Sequence, residues 1–226
     1  MRPSATAPRL PLLTRAWRAL YTFGYGCIEG TARLLFRPLF RVRAVGRRPR
    51  LPTGGVLLCP NHQSYLDPAL LQLVLRRRLT FVMTNDFYAV RGARSFFRLV
   101  GALPVARGRM AWESMRRAAA LARVGAAVVV FPEGRLSVDG AVNPFQRGVG
   151  MLARRARVPV VPVAIEGSRR AWPRGAKWLR RADVRVAVGD AMPPPVAGTR
   201  DDDQAFADGV RAAVLRLRSS LPPARP

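Results

Sequence analysis

Residues 54–68 read GGVLLCPNHQSYLDP. Val56 to Cys59 is an unbroken apolar run behind a two-glycine turn, the pattern of a strand buried on both faces. A polar stretch from Asn61 to Tyr65 follows at once. Asp67-Pro68 then opens a helix predicted to run to Arg76. A buried strand feeding a polar turn and a helix is one half of a βαβ unit. In such sheets ligands meet the protein at the carboxyl ends of strands.

The same alternation continues outward. Leu79–Thr84 and Ala102–Val105 are predicted strands, with a short helical piece at Ser95–Val100 between them. Glu113–Arg123 is a predicted helix stopped at Gly125. Ala126–Phe131 is the strongest strand, a β-branched run. Gln146–Arg155 is helical and Val160–Ile165 a strand, expected at a sheet edge or with Pro162 at a strand end. Val184–Val188 is a further strand, Met192–Pro195 a rigid connector and Ala205–Arg218 a closing helix. These elements predict an α/β fold: a mostly parallel central sheet flanked by helices. The expected organisation is an N-terminal amphipathic helical arm over 1–45, a domain over 46–220 and a loose tail over 221–226.

Within the opening stretch, His62 and Asp67 form a possible general-base pair. A carboxylate fixes the tautomer of an imidazole and stabilises the imidazolium formed when the ring takes a proton. Positions five apart on a regular helix lie about 140° apart around the axis. Contact therefore requires a turn or a distorted helix start between them. The plain alternative is that His62 caps a turn and Asp67 merely begins a helix.

FPEGRLS at 131–137 also follows a buried strand. Its acid, glycine and arginine suit a polar or phosphate-bearing ligand: glycine admits close backbone approach and arginine offers a planar fork. The alternative is a loop with a Glu133–Arg135 ion pair. Two weaker stretches are GALPVAR, placing Arg107 just past a short strand, and PFQRG, placing Arg147 at a helix start.

Composition narrows the chemistry. The chain has 226 residues, 39 basic and 13 acidic, for a net charge of +26. Such a chain should meet phosphates, whether on nucleic acid, an anionic membrane or a substrate. The charge is nearly all arginine, since Lys177 is the only lysine. His62 is the only histidine, and the cysteines are Cys27 and Cys59 alone. Multi-histidine metal sites, CxxC motifs and a disulfide framework are thereby excluded. So are the GxSxG, GxxxxGK[ST] and GxGxxG motifs. Asp201–Asp203 could bind a cation or simply begin the last helix. Nucleic-acid binding stays as a distant alternative, because the basic residues are scattered and no helix-turn-helix or RNP-type motif occurs.

No stretch reads as a transmembrane helix, which needs about 20 apolar residues. Leu10–Leu13 is too short for a signal sequence, and the chain is expected to stay in the cytoplasm. Between Leu10 and Phe40, Leu10, Leu13, Trp17, Leu20, Tyr21, Ile28, Leu35 and Leu39 share one helical face, with Arg15, Arg18, Glu29, Arg33 and Arg37 opposite. That composition suits an anionic membrane surface, or else a helical arm packed on the domain. Trp172, Lys177 and Trp178 lie among arginines at 169–181, suiting lipid headgroups or a solvated loop. Arg91, Arg94 and Arg98 beside Phe96 and Phe97 could line a substrate entrance.

In chain order the motifs are NHQSYLD, GALPVAR, FPEGRLS, PFQRG and VPVAI. Together, from Gly54 to Ile165, they resemble the glycerolipid acyltransferase family, the bacterial 1-acyl-sn-glycerol-3-phosphate acyltransferases and their relatives. The resemblance implies an O-acyltransferase. It would move a fatty acyl chain from acyl-CoA or acyl-carrier protein to a lysophospholipid, first of all 1-acyl-sn-glycerol-3-phosphate, giving phosphatidic acid. It implies His62 as general base, Asp67 as its orienting partner, and acceptor binding by Arg107, Glu133, Gly134, Arg135 and Arg147. It implies no metal or prosthetic group and a peripheral place on the cytoplasmic membrane face. The family's third motif is commonly FPEGTRS. Here Leu136 stands at the usual arginine and Arg135 at the usual threonine, and Gln146 stands where lysine is common. A different lysolipid, an amino-acid lipid or a glycolipid is therefore the alternative acceptor.

Overall fold

The computed structural model describes residues 39–46, 51–84, 103–105 and 111–222, apart from positions 76, 174, 177 and 197, together with Gly26 and Gly30. The arm before Leu39, the 85–100 segment with its predicted helical piece, Cys27, Arg107 and the last four residues lie outside the described residues.

The strands are β1 (Phe40–Val45), β2 (Val56–Pro60), β3 (Leu79–Thr84), β4 (Leu103–Val105), β5 (Ala127–Val130), β6 (Val160–Glu166) and β7 (Ala182–Val188). The described helices are α1 (Asp67–Val74), α2 (Ala111–Arg123), α3 (Gly148–Ala156), α4 (Ser168–Ala171) and α5 (Arg200–Ser219). The strands form one sheet in the order β1-β7-β6-β2-β5-β3-β4. Every adjacent pair is parallel except β6–β7. The expected mostly parallel α/β sheet is the one observed.

Alternation along the strands builds a core on each face. Leu57, Cys59, Val128 and Val130 pack with α2, α3 and α5 on one side. Val56, Leu58, Ala127 and Val129 pack with α1 on the other. Burial on both faces explains the continuous apolar runs of β2 and β5. Gly55 lets α2 close over the turn before β2: a Cβ there would stand 1.8 Å from the Ala122 carbonyl oxygen. At the amino end of the sheet, Arg77 donates to the carbonyl oxygens of Pro52, Gly54 and Gly125, joining three loops.

Three sequence expectations need correction. The sheet begins at Phe40, inside the stretch assigned to the arm. In FRVRAV, Phe40 and Val42 turn inward while Arg41 and Arg43 are exposed, a period of two that the flanking arginines disguise. β6 is an interior strand, not an edge. Pro162 is tolerated because it falls between the β7 ladder, whose last pair is Val163–Val188, and the separate Val160–Met192 bridge. Its missing N–H coincides with that interruption, while its carbonyl still accepts from Gly189. Finally, Leu221 is not loose: it is buried in the core beside α5.

Helix α5 starts earlier than Ala205. Thr199 and Asp202 form a reciprocal capping box, and Asp201–Asp203 fill its first turn. Asp203 is buried and paired with Arg154 of α3 at 2.9 Å. The acidic run is thus a helix start. Among the described residues no group of side chains is arranged to hold a metal.

Candidate active site

β2 lies between β5 and β6, and all three run the same way. Their carboxyl ends therefore emerge side by side, and the chain leaving each one contributes to a single site. From β2 come Asn61 and His62, from β5 Phe131 to Gly134, and from β6 Glu166 and Gly167.

Asn61 ties the first of these ends down. Its side-chain amide donates to the Ile165 carbonyl at 3.0 Å, and its oxygen accepts from the Ile165 N–H at 2.7 Å. The chain then turns through Tyr65 and Leu66 into α1. That turn closes the five-residue gap: His62 Nδ1 lies 2.9 Å from Asp67 Oδ2. The same oxygen accepts the N–H groups of Gln63 at 2.7 Å and Ser64 at 2.9 Å. Asp67 is thus held in a loop of N–H donors wound around its own carboxylate. It is fully buried, while the His62 side chain is 16% exposed.

The carboxylate can only accept, so Nδ1 carries the proton in this pair and Nε2 is left as the basic nitrogen. The ring stacks on Phe131, with centroids 3.9 Å apart and planes inclined by 24°. Ring and carboxylate are therefore fixed before any ligand arrives. Cys59 is buried, and burial pushes its thiol far above the ordinary range. The Ser64 hydroxyl donates to the Trp172 carbonyl at 2.9 Å.

Glu133 stands behind His62. Its Oε1 accepts the His62 N–H at 2.8 Å, and its Oε2 accepts the backbone and side-chain N–H groups of Asn143 at 3.1 and 2.6 Å. Burial raises its carboxyl above the usual range, and these donors partly offset that. Asn143 is itself held from α5, where Arg211 donates to the Asn143 and Val142 carbonyls. A chain of contacts thus runs from α5 through Asn143 and Glu133 to the backbone of His62. Gly134 takes φ +66°, and a Cβ there would stand 2.4 Å from the Gln146 side-chain nitrogen. Glu133, Gly134, Arg135, Asn143, Pro144 and Gln146 line a cleft of about 250 Å³.

The structure brings His62, Asp67, Glu133 and Gly134 together. The Glu133–Arg135 ion pair does not form, since Arg135 is exposed and reaches Asn143 Oδ1 at 3.5 Å. Arg147 is exposed at the start of α3 and lies outside the cleft lining. Leu136 is buried, so its position offers no cation to the cleft. Sequence reasoning missed Asn61, Phe131 as the stacking partner, and Asn143. The first two are the opening residues of NHQSYLD and FPEGRLS at strand ends, and Asn143-Pro144 is a turn dipeptide, so all three were open to inspection. Trp172 is half-buried: its indole N–H donates to Ala176 O at 2.9 Å and its ring meets Tyr65 edge-on. Trp178, by contrast, is 81% exposed.

Residues 41–166 match the family model described as Acyltransferase. A 1-acyl-sn-glycerol-3-phosphate acyltransferase of Chlamydomonas reinhardtii is 33% identical over 191 residues, covering 82% of this chain and 54% of the relative. A chloroplastic enzyme of that name from Brassica napus is 32% identical over 145 residues, covering 63% and 41%. The human alpha form is 31% identical over 182 residues, covering 78% and 63%. The chain thus spans about half the length of the curated relatives it matches. The crystal structure of the 1-acyl-sn-glycerophosphate (LPA) acyltransferase PlsC from Thermotoga maritima shares the fold, with a TM-score of 0.73 at 22% identity over 93% of this chain and 88% of that one. The family match takes in more than half of the chain, including the strand ends that carry His62, Asp67 and Glu133, and the chain belongs to the acyltransferase family.

Proposed function

We propose that this chain transfers a fatty acyl group from an acyl thioester to the hydroxyl of a lysophospholipid, with 1-acyl-sn-glycerol-3-phosphate as acceptor and phosphatidic acid as product. The observation that carries the reading is the 2.9 Å His62–Asp67 pair, whose second ring nitrogen remains basic. The names of the relatives support the choice of acceptor.

His62 Nε2 takes the proton of the acceptor hydroxyl as its oxygen attacks the thioester carbonyl. Asp67, anionic and buried, stabilises the imidazolium so formed. Collapse of the tetrahedral intermediate breaks the carbon–sulfur bond, and the imidazolium returns the proton to the departing thiolate. Ester and free thiol are the products, and His62 ends neutral. Direct attack is favoured because the thiol and hydroxyl flanking His62 are committed elsewhere: Cys59 is buried and Ser64 is bonded to Trp172. Acyl-CoA or acyl-carrier protein serves as co-substrate, and these steps ask for no prosthetic group.

Glu133 acts as a brace for the His62 backbone, because both its oxygens are taken by protein donors. Contact with the acceptor falls to Gly134 and Arg135 at the cleft, with Arg107 and Arg147 as further candidates. Peripheral seating on the cytoplasmic membrane face fits the exposed Trp178, Leu179 and Val138 among arginines. Among the described residues no helix is long and apolar enough to cross a membrane.

The test is free-thiol release from a long-chain acyl-CoA with lysophosphatidic acid. His62→Ala is expected to lower turnover by about 10²–10⁴-fold, the usual share of a general base, while the protein stays folded. Undiminished turnover in a folded variant removes the mechanism.

A further inference from the structure

A larger cavity lies apart from the cleft beside Glu133. It is a groove of about 540 Å³ on the other side of the loop that follows β5. Its floor includes Gln63, the residue after His62, whose side-chain N–H donates to the Gly140 carbonyl at 2.9 Å. Arginines converge on it from three separate segments: Arg169 and Arg170 from α4, Arg180 and Arg181 from the turn before β7, and Arg218 from the end of α5. Two carboxylates share the lining. Glu166 is spent on Arg218, which donates to it at 2.6 Å. Asp139 is turned into its own loop, accepting from Ala141 N–H and Ser137 Oγ, which holds its carboxyl below the usual range. The remaining balance is strongly cationic.

The groove is also shaped. Arg169 donates to the Val138 carbonyl at 2.8 Å and packs on Gly140, so its guanidinium marks one wall. The Arg180 N–H donates to the Ala171 carbonyl at 3.0 Å, so backbone contacts set the opposite wall. Guanidinium groups gathered around a concavity of this size fit a compact dianion better than a flat lipid surface. Of the residues assigned to acceptor binding from the sequence, Glu133, Gly134, Arg135 and Arg147 do not line it.

We propose that this groove binds a phosphate monoester, beginning one residue along the chain from the catalytic imidazole. The proposal rests on the acyl-transfer reading for the identity of its ligand. Two substrates of that reaction carry the same chemistry: the acceptor on its glycerol phosphate head, and a coenzyme A donor on its nucleotide 3′-phosphate.

The experiment titrates the full chain with glycerol 3-phosphate and, separately, with adenosine 3′,5′-bisphosphate at physiological salt. It compares wild type with R180Q/R181Q and with the charge-matched control R116Q/R200Q, whose sites lie outside both cavities. The expected result is saturable binding of at least one probe, weakened tenfold or more in R180Q/R181Q and less than threefold in the control. The probe that loses affinity names the substrate held there, and the KM for that substrate rises with kcat retained. Equal weakening in both variants, or no binding of either probe to wild type, overturns the proposal. Absence of thiol release from wild type would instead sink the acyl-transfer reading and leave the binding result standing.

Discussion

Asp67→Asn keeps the shape of the side chain and removes its charge. In the folded protein Asp67 Oδ2 accepts from His62 Nδ1, Gln63 N–H and Ser64 N–H at 2.9, 2.7 and 2.9 Å. Hydrogen bonds to a charged group contribute about 1.5–3 kcal/mol and neutral ones about 0.5–1.5 kcal/mol. Weakening three of them costs a few kcal/mol, and relief of the buried charge offsets part of it. A net loss of about 1–3 kcal/mol follows, and at about 2–4 °C per kcal/mol the midpoint falls by roughly 2–12 °C. The variant therefore still folds. Catalysis suffers more. The imidazolium of the transition state loses an anion in contact with it, and at an effective dielectric near 20 that interaction is about 4 kcal/mol at 4 Å. With a tenfold rate change for each 1.36 kcal/mol, turnover falls on the order of 10³-fold. Thiol release measured beside thermal unfolding tests both numbers. The double variant with His62→Ala should be scarcely slower than His62→Ala alone, because the carboxylate acts only through the ring. A folded Asp67→Asn protein within tenfold of wild-type turnover refutes the reasoning.

Two further outcomes follow from the same contacts. Gly150→Ala should destabilise by about 1–3 kcal/mol or more, because its Cβ would stand 2.3 Å from the Asp203 carbonyl oxygen where α3 meets α5; urea unfolding reads this, and KM should be unchanged in the folded fraction. Glu133→Gln should destabilise the protein, since an amide cannot accept from His62 and Asn143 with both of its termini. The pH dependence has a definite sign. The folded carboxyl lies above its unfolded value, so its contribution is fully present below the ordinary glutamate range and declines as pH rises through the folded value. The stability advantage of wild type over Glu133→Gln should therefore be larger near pH 4 than near pH 7, and an advantage that grows with pH contradicts the assignment.

Local pattern carried most of the architecture. The runs at Val56–Cys59 and Ala126–Phe131 are continuous because the strands are covered on both faces, and that burial is written in consecutive residues. The errors arose where a local signal met a non-local answer. Pro162 requires an edge only if an N–H at its position would otherwise have to pair with a neighbouring strand, and whether it would depends on where the β7 ladder stops. Phe40 and Val42 form a strand because β7 lies alongside to pair with them. Leu221 is buried because α5 carries it back over the core.

The site divides in the same way. The amino-acid sequence by itself determined that any imidazole chemistry must pass through His62, and that Asp67 could serve it only across a turn. Both statements concern residues five apart, where chain geometry leaves few options. Only the tertiary structure decided that Glu133, 71 positions from His62, bonds to its backbone, that Phe131 stacks on the ring, and that arginines from three segments gather in one groove. Those contacts arise because β2, β5 and β6 pair in parallel and end together, and the order in which strands pair is set by the packing of the whole sheet rather than by any stretch within it.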